Sequence, residues 1–206
     1  MVIVIYMDCG KKHFKNILLL VCSFLYVKIE MVIKMKRLSY EDFDEAYQLF
    51  QEAFIPAELR PYDKMKTMFF HDDFMIYGYH RDGQLVGAMI VWEFDDFIYL
   101  ENFAVSRTIR NHGIGRFMLQ NIQKIYQNHL LILEVEKPHD DLSRRRIAFY
   151  QRLQFIHNPY HFIQPALRND VQDVHLMIMS YPDSITFQSF EMIKQILFEK
   201  VYLQRM

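Results

Sequence analysis

The sequence predicts an α/β (α+β) domain with a mixed, mostly antiparallel central sheet flanked by helices. Three observations carry this. Residues 74–80, 85–94 and 97–105 are runs rich in aromatic and aliphatic side chains, joined only by Arg81-Asp82-Gly83-Gln84 and Asp95-Asp96. Strands joined so tightly must be antiparallel, and Asp-Gly between apolar runs is a strong hairpin signal. A glycine-bearing loop and an amphipathic helix then separate 97–105 from the apolar run 130–136, so that pair should lie parallel. Segments with helical periodicity precede and follow these strands.

Residues 1–30 differ from the rest. Lys11, Lys12 and Lys15 precede an apolar run from Ile17 to Val27 broken only by Ser23. The run imitates a signal peptide without a clear small-x-small cleavage site, and it is shorter than the ~20 residues a spanning helix needs. Two readings stand: an extension upstream of a domain that begins near Met31 or Met35, which we favour, or a weak anchor. With 206 residues, 51% of them hydrophobic and 16% aromatic, the chain can bury one full core over residues 31–206. A formal charge of −1 argues against nucleic-acid binding by bulk charge. Cys9 and Cys22 are the only cysteines, so the body has no disulfide framework, zinc–cysteine cluster or cysteine nucleophile.

The body opens with a strand over 32–38. Ser39 caps the helix that follows, with Asp42 in the capping-box position, and Phe43, Tyr47, Phe50 and Phe54 form its buried face. Pro56 ends that helix and Pro61 opens a second one through Phe70, with Met65, Met68 and Phe69 inward. The three antiparallel strands follow. After them, Ile114, Phe117, Met118, Ile122, Ile125 and Tyr126 mark a helix over 114–128. Pro138 closes the strand at 130–136. A helix over 141–153, strands over 155–162 and 174–180, and a helix over 187–202 with Phe190, Ile193, Leu197 and Val201 inward complete the chain.

The stretch that carries chemistry is Arg110-Asn111-His112-Gly113-Ile114-Gly115, between a strand and a helix. Glycines let backbone approach a ligand, and a helix N-terminus offers unpaired N–H groups at a positive dipole end. It is therefore a candidate seat for phosphate oxygens, although a G-x-G joint alone also suits an ordinary strand–turn–helix. A P-loop is excluded because Gly115-Arg116-Phe117 lacks Gly-Lys-Ser/Thr. A dinucleotide fingerprint would need a third glycine at Met118 and a place in the first βα unit. Glu134 stands at its acidic spacing, but the preceding antiparallel strands oppose that reading.

With Asn102-Phe103-Ala104-Val105 before it, Arg110–Gly115 resembles the Arg/Gln-x-x-Gly-x-Gly/Ala signature of the GCN5-related N-acetyltransferase (GNAT) superfamily. The element order and the later Ala148-Phe149-Tyr150-Gln151-Arg152-Leu153-Gln154-Phe155 extend the resemblance over residues 31–181. Trp92–Phe97, Leu133–Glu136 and Phe162-Ile163-Gln164-Pro165 further resemble an uncharacterised bacterial branch. The resemblance implies a pyrophosphate site formed by the fourth strand, the loop and the third helix. It also implies acetyl-CoA as co-substrate, with Phe103, Ala104 and Val105 pairing with its pantetheine amides. Amides from Asn111 through His112, Gly113, Ile114, Gly115 and Arg116 would cradle the diphosphate, and Arg110, His112 and Arg116 would add charge.

The same resemblance places Tyr150 beside the coenzyme sulfur, where a phenol of ordinary pKa about 10 can protonate a leaving thiolate. Glu134 matches the catalytic glutamate of ribosomal-protein N-terminal acetyltransferases. Glu101, in an apolar run, is the second candidate base, since burial raises a carboxyl pKa. Strict alternation groups it with Tyr99 and Phe103. Each glutamate has the competing role of a structural ion pair with an arginine, Arg144, Arg145 or Arg146 among them. Ser143 stands where the family often has a coenzyme-binding asparagine, and Gln154 where it has glycine. Glu52, Glu58, Arg60 and the aromatics of 92–97 would edge the acceptor site. His157 and His161 suggest no metal.

The expected activity is an acetyl-CoA-dependent N-acetyltransferase acting on an amine by direct transfer in a ternary complex, with a non-catalytic acyl-CoA-binding module as the alternative. The expected partners are acetyl-CoA and the amine acceptor, without nucleic acid or membrane, in the cytoplasm. The sequence leaves monomer or homodimer open. A chain beginning at Met31 is expected to be soluble and fully folded by circular dichroism and gel filtration. Insolubility on truncation would make residues 1–30 part of the domain.

Overall fold

The computed structural model describes residues 35–202. The readings of residues 1–30, and of the first residues of the strand at 32–38, lie outside the described residues. The strands are β1 (Met35–Arg37), β2 (Phe74–Arg81), β3 (Gln84–Glu93), β4 (Phe97–Val105), β5 (Leu130–Glu136), β6 (Ile156–Gln164) and β7 (Val174–Tyr181). The helices are α1 (Phe43–Ala53), α2 (Tyr62–Thr67, continued by a 3-10 turn at Met68–Phe70), α3 (Ile114–Ile125), α4 (Asp141–Arg152) and α5 (Phe187–Ile196). They surround one seven-stranded sheet of order β1-β2-β3-β4-β5-β7-β6.

Every neighbouring pair is antiparallel except β4 and β5, joined through α3. The β2–β3 hairpin turns through Asp82 (φ 52°) and Gly83 (φ 81°). Two consecutive left-handed residues match a type I′ turn, whose twist suits the flanking strands. One face of the sheet packs its core against α1, α2 and α5 through Phe43, Phe50, Trp92, Phe97, Tyr99, Ile132 and Ile193. The opposite face packs against α3 and α4 through Ile98, Leu100, Met118, Ile122, Leu133 and Leu153. Among the described residues no helix is long and apolar enough to cross a membrane.

Three departures from the sequence expectation follow from local geometry. Ser39 does not cap α1: Asp42 occupies the N-cap, and its carboxylate accepts from the Ser39 N–H (2.9 Å) and hydroxyl (3.1 Å). The last helix widens after Ile196 into a π turn at Leu197–Val201, where the Tyr202 N–H donates to the Leu197 carbonyl at 2.8 Å. Finally, Met89 faces Phe103 while Val91 faces Leu100, so Ile90 opposes both Glu101 and Asn102. That is a β-bulge in β4. Tyr99 therefore belongs to the α1/α2/α5 side and Phe103 to the α3/α4 side, contrary to strict alternation.

Candidate active site

The bulge lies where β4 and β5 part. Their ladder runs from Phe97↔Leu130 to Leu100↔Leu133 and ends there. Beyond it, β4 continues to pair with β3 as far as Val105 and β5 continues to pair with β7 as far as Glu136. Glu101–Val105 therefore line one wall of a wedge and Glu134–Glu136 the other. Backbone groups along such an edge are donors and acceptors for an extended ligand.

Below the wedge, a 3-10 turn at Arg107–Ile109 leads to Asn111 (φ 67°) and Gly113 (φ 78°), the N-cap of α3. Gly113 brings no side chain to cap the helix, and the first helical N–H to find a partner is that of Phe117, on the Gly113 carbonyl. The first-turn amides of Ile114, Gly115 and Arg116 have no intrahelical partner. Gly115 has ordinary helical geometry, and a Cβ there would meet Phe149 at 3.5 Å and Phe103 at 3.6 Å. Arg110 folds back, its Nε donating to the Val105 carbonyl at 3.1 Å, and the His112 ring contacts the Arg110 carbonyl at 2.9 Å.

On the α1/α2/α5 side of the wedge, the chain between α1 and α2 carries Arg60 into the fold. Arg60 Nε donates to Glu101 Oε1 at 3.0 Å, and Trp92 Nε1 donates to Glu101 Oε2 at 2.8 Å. Arg60 Nη2 lies 2.9 Å from Oε1 without hydrogen-bond geometry and has no other partner among the described residues. Both side chains are nearly sealed from solvent, at 8% and 5% exposure. Glu101 is thus an ion-pair residue, and its arginine is Arg60 from 41 positions upstream. Asn102 is buried, its Nδ2 reaching the Glu58 carbonyl at 3.4 Å, while Arg144 pairs with Asp141 and Arg146 with Glu136.

Glu134 is different. Burial pushes its carboxyl up to about 8, with the Glu101 charge adding to the rise. The hydroxyls of Tyr99 and Tyr202 and the Arg60 cation oppose that rise. Tyr202 Oη lies 3.2 and 3.1 Å from the two carboxylate oxygens and 2.9 Å from Tyr99 Oη. Burial also raises the Glu58 carboxyl, aided by Glu136 nearby.

Tyr150, on α4, belongs to the opposite face, its ring packed on Phe149 (5.2 Å) and Phe155 (5.8 Å). Burial pushes its phenol up to about 12, with Arg146 opposing and Glu136 adding to the shift. It is therefore protonated at neutral pH.

Compared with protein families, residues 43–155, more than half of the chain, match the acetyltransferase (GNAT) family. The chain belongs to that family. The GNAT fold is that of enzymes transferring acyl groups from acyl-CoA, and the comparison structures agree. A "putative acetyltransferase from GNAT family" of Bacteroides thetaiotaomicron superimposes with a TM-score of 0.76 at 25% identity, over 83% of this chain and 99% of that one. The Escherichia coli ribosomal-protein-S18-alanine N-acetyltransferase shares the fold at a TM-score of 0.56 and 21% identity, over 74% of this chain and 94% of its own. "Putative acetyltransferase YjbC" of Bacillus subtilis (strain 168) is 33% identical over 81 residues, which are 38% of this chain and 41% of the relative.

In this GNAT protein Ser143 is the N3 residue of a capping box. Its N–H donates to Asp140 Oδ1 at 2.7 Å and its hydroxyl accepts from the Asp140 N–H at 3.1 Å. The hydroxyl proton is also taken, by Asp140 Oδ1 at 2.7 Å. The donor that the sequence offered to a coenzyme thus holds the start of α4. Gln154, in place of the family glycine, adopts φ 66° and closes the turn after α4. Glu52 is exposed on α1, whereas Glu58 and Arg60 do edge the wedge.

Sequence reasoning missed Tyr99 and Tyr202 as partners of Glu134, and Glu136 and Arg146 beside Tyr150. Tyr99 and Tyr202 read as members of apolar runs, and nothing local reports a pairing across 68 positions. Two stability outcomes follow. Arg60→Ala is expected to cost about 3–5 kcal/mol in urea unfolding, because it strands the Glu101 carboxylate. Ser143→Ala is expected to cost about 1 kcal/mol through the lost cap.

Proposed function

We propose that this protein is an N-acetyltransferase that moves the acetyl group of acetyl-CoA to a primary amine of a small molecule or peptide, by direct transfer in a ternary complex. The observation that carries the reading is the wedge. The reading is supported by a carboxyl on β5 at the wedge, Glu134, pushed up to about 8, and by a phenol on the α3/α4 face, Tyr150, pushed up to about 12. The residues present suit an acyl-CoA: an α3 N-terminus without a side-chain cap for the diphosphate, and a β4 edge free beyond Leu100 for amides.

In this reading the backbone of Phe103, Ala104 and Val105 binds the pantetheine amides. The N–H groups from Asn111 to Arg116 hold the diphosphate, with Arg110, His112 and Arg116 supplying positive charge around it. The thioester supplies an electrophilic carbonyl. Glu134 takes a proton from the incoming ammonium, so that nitrogen attacks with a free electron pair. The new N–C bond forms as the C–S bond breaks, the Tyr150 hydroxyl gives its proton to the departing thiolate, and the second proton lost by the acylated nitrogen restores the phenol. Glu101, held by Arg60 and Trp92, stands second as a base because it is already paired directly with a cation. Body residues 31–206 contain no cysteine, so an acyl-cysteine step has no nucleophile there.

Thermal shift with acetyl-CoA and with CoA tests the site. Thiol release against polyamines, aminoglycosides, amino acids and peptides then tests for an enzyme, since a binding module would be stabilised and release nothing. Glu134 must be ionised to act, so kcat/KM is expected to rise with pH through about 8 and to lose this limb in Glu134→Gln. Tyr150→Phe is expected to lower kcat about 10²-fold or more with little change in acetyl-CoA affinity. Unchanged turnover in either variant would remove that residue's role.

A further inference from the structure

Glu134 is reached by a side chain from far outside the segment that matches the family. Residues 43–155 carry the family match, whereas Tyr202 follows α5 and its π turn. The π turn adds a residue to the closing loop of the helix, ending on the hydrogen bond from the Tyr202 N–H to the Leu197 carbonyl. Tyr202 Oη spans the Glu134 carboxylate almost symmetrically, at 3.2 and 3.1 Å, and meets Tyr99 Oη at 2.9 Å. The Arg60 guanidinium lies 5.6 Å from the centre of the Tyr202 ring, over its face.

We infer that Tyr202 is a positioning residue for this acetyltransferase, the C-terminal segment supplying the hydroxyl that orients Glu134 and favours its ionised form. The inference rests on the reading of Glu134 as the general base. A phenol has one proton to donate. When Tyr202 directs it to Glu134, its own oxygen is free to accept from Tyr99, giving a relay Tyr99→Tyr202→Glu134 of aligned donors ending on the carboxylate. Burial pushes both phenols well above their ordinary range, so both keep their protons throughout the working pH range. The groups facing Glu134 are Tyr99 and Glu101 from β4, Arg60 from the chain between α1 and α2, and Tyr202. Its β7 register partner is the apolar Ile178. Tyr202 is the member of this set that contacts both carboxylate oxygens.

The test is the titration of Glu134, followed by the 13C shift of its side-chain carboxyl in full-length protein without added ligand. It is run in wild type, Tyr202→Phe and Tyr99→Phe, each checked for folding by its Tm. The wild-type midpoint is expected near 8, and Tyr202→Phe is expected to move it up by about one unit. Tyr99→Phe is expected to move it in the same direction. In thiol release from acetyl-CoA with the amine panel, Tyr202→Phe should move the alkaline-rising limb of kcat/KM upward by the same amount. The rate should fall about tenfold below the midpoint and recover above it. KM for acetyl-CoA should stay constant.

In a Glu134→Gln background, Tyr202→Phe should change nothing further in the profile. A merely structural Tyr202 would lower the rate equally at all pH values and leave the carboxyl midpoint in place, which would overturn the inference. If instead Glu134→Gln retains full turnover, the base reading fails. The carboxyl titration still reports separately whether Tyr202 governs Glu134.

Discussion

The structure depends on one break in hydrogen bonding, the end of the β4–β5 ladder after Leu100↔Leu133. A closed parallel pair would satisfy its own backbone groups and separate the two faces of the sheet by a continuous layer. Here β4 keeps β3 and β5 keeps β7, so each strand remains anchored on its far side while the near sides diverge. The bulge at Glu101 and Asn102 is part of the same device, since an extra residue bends and twists the strand that carries it. Glu134 faces one side of the sheet beside this break, and Tyr150 lies on the other.

Holding such a wedge open inside a folded domain strands polar groups, and their handling explains the surrounding sequence. Glu101 is paired with the Arg60 cation in a nearly sealed contact and accepts a hydrogen bond from Trp92. A pair of this kind adds little net stability against an apolar replacement, but losing one partner is expensive, so it fixes the path of the chain between α1 and α2. Glu134, one strand over, receives hydroxyls instead of a direct cation. Of these two carboxylates, one is paired with a guanidinium and the other, desolvated without such a pair, is pushed up to about 8. The difference lies in what their neighbours donate.

The start of α3 is simpler. Gly113 at φ 78° turns the chain into α3 and leaves the helix without a side-chain cap, so the dipole and first-turn amides face whatever the loop encloses. At the other helix of the site Ser143 does the reverse, closing the N-terminus of α4 with a capping box. One helix start is thus kept free and the other sealed, by the identity of a single residue at each.

The sequence by itself determined the elements and their order, since side-chain periodicity and turn chemistry are local. The limits of β4 and β5 at Phe97–Val105 and Leu130–Glu136, the Asp82-Gly83 hairpin and the antiparallel β2-β3-β4 run were all legible, as was the Arg110–Gly115 loop. It also put Glu134 and Tyr150 on the right elements, because each is fixed by its position within a strand or helix. Tertiary structure decided the rest. The partner of Glu101 is Arg60 and not Arg144, Arg145 or Arg146, and the hydroxyl on Glu134 comes from Tyr202. The bulge that parts Tyr99 from Phe103 was equally invisible. These pairings join residues tens of positions apart, and the desolvation that shifts Glu134 and Tyr150 exists only once distant elements have closed over them.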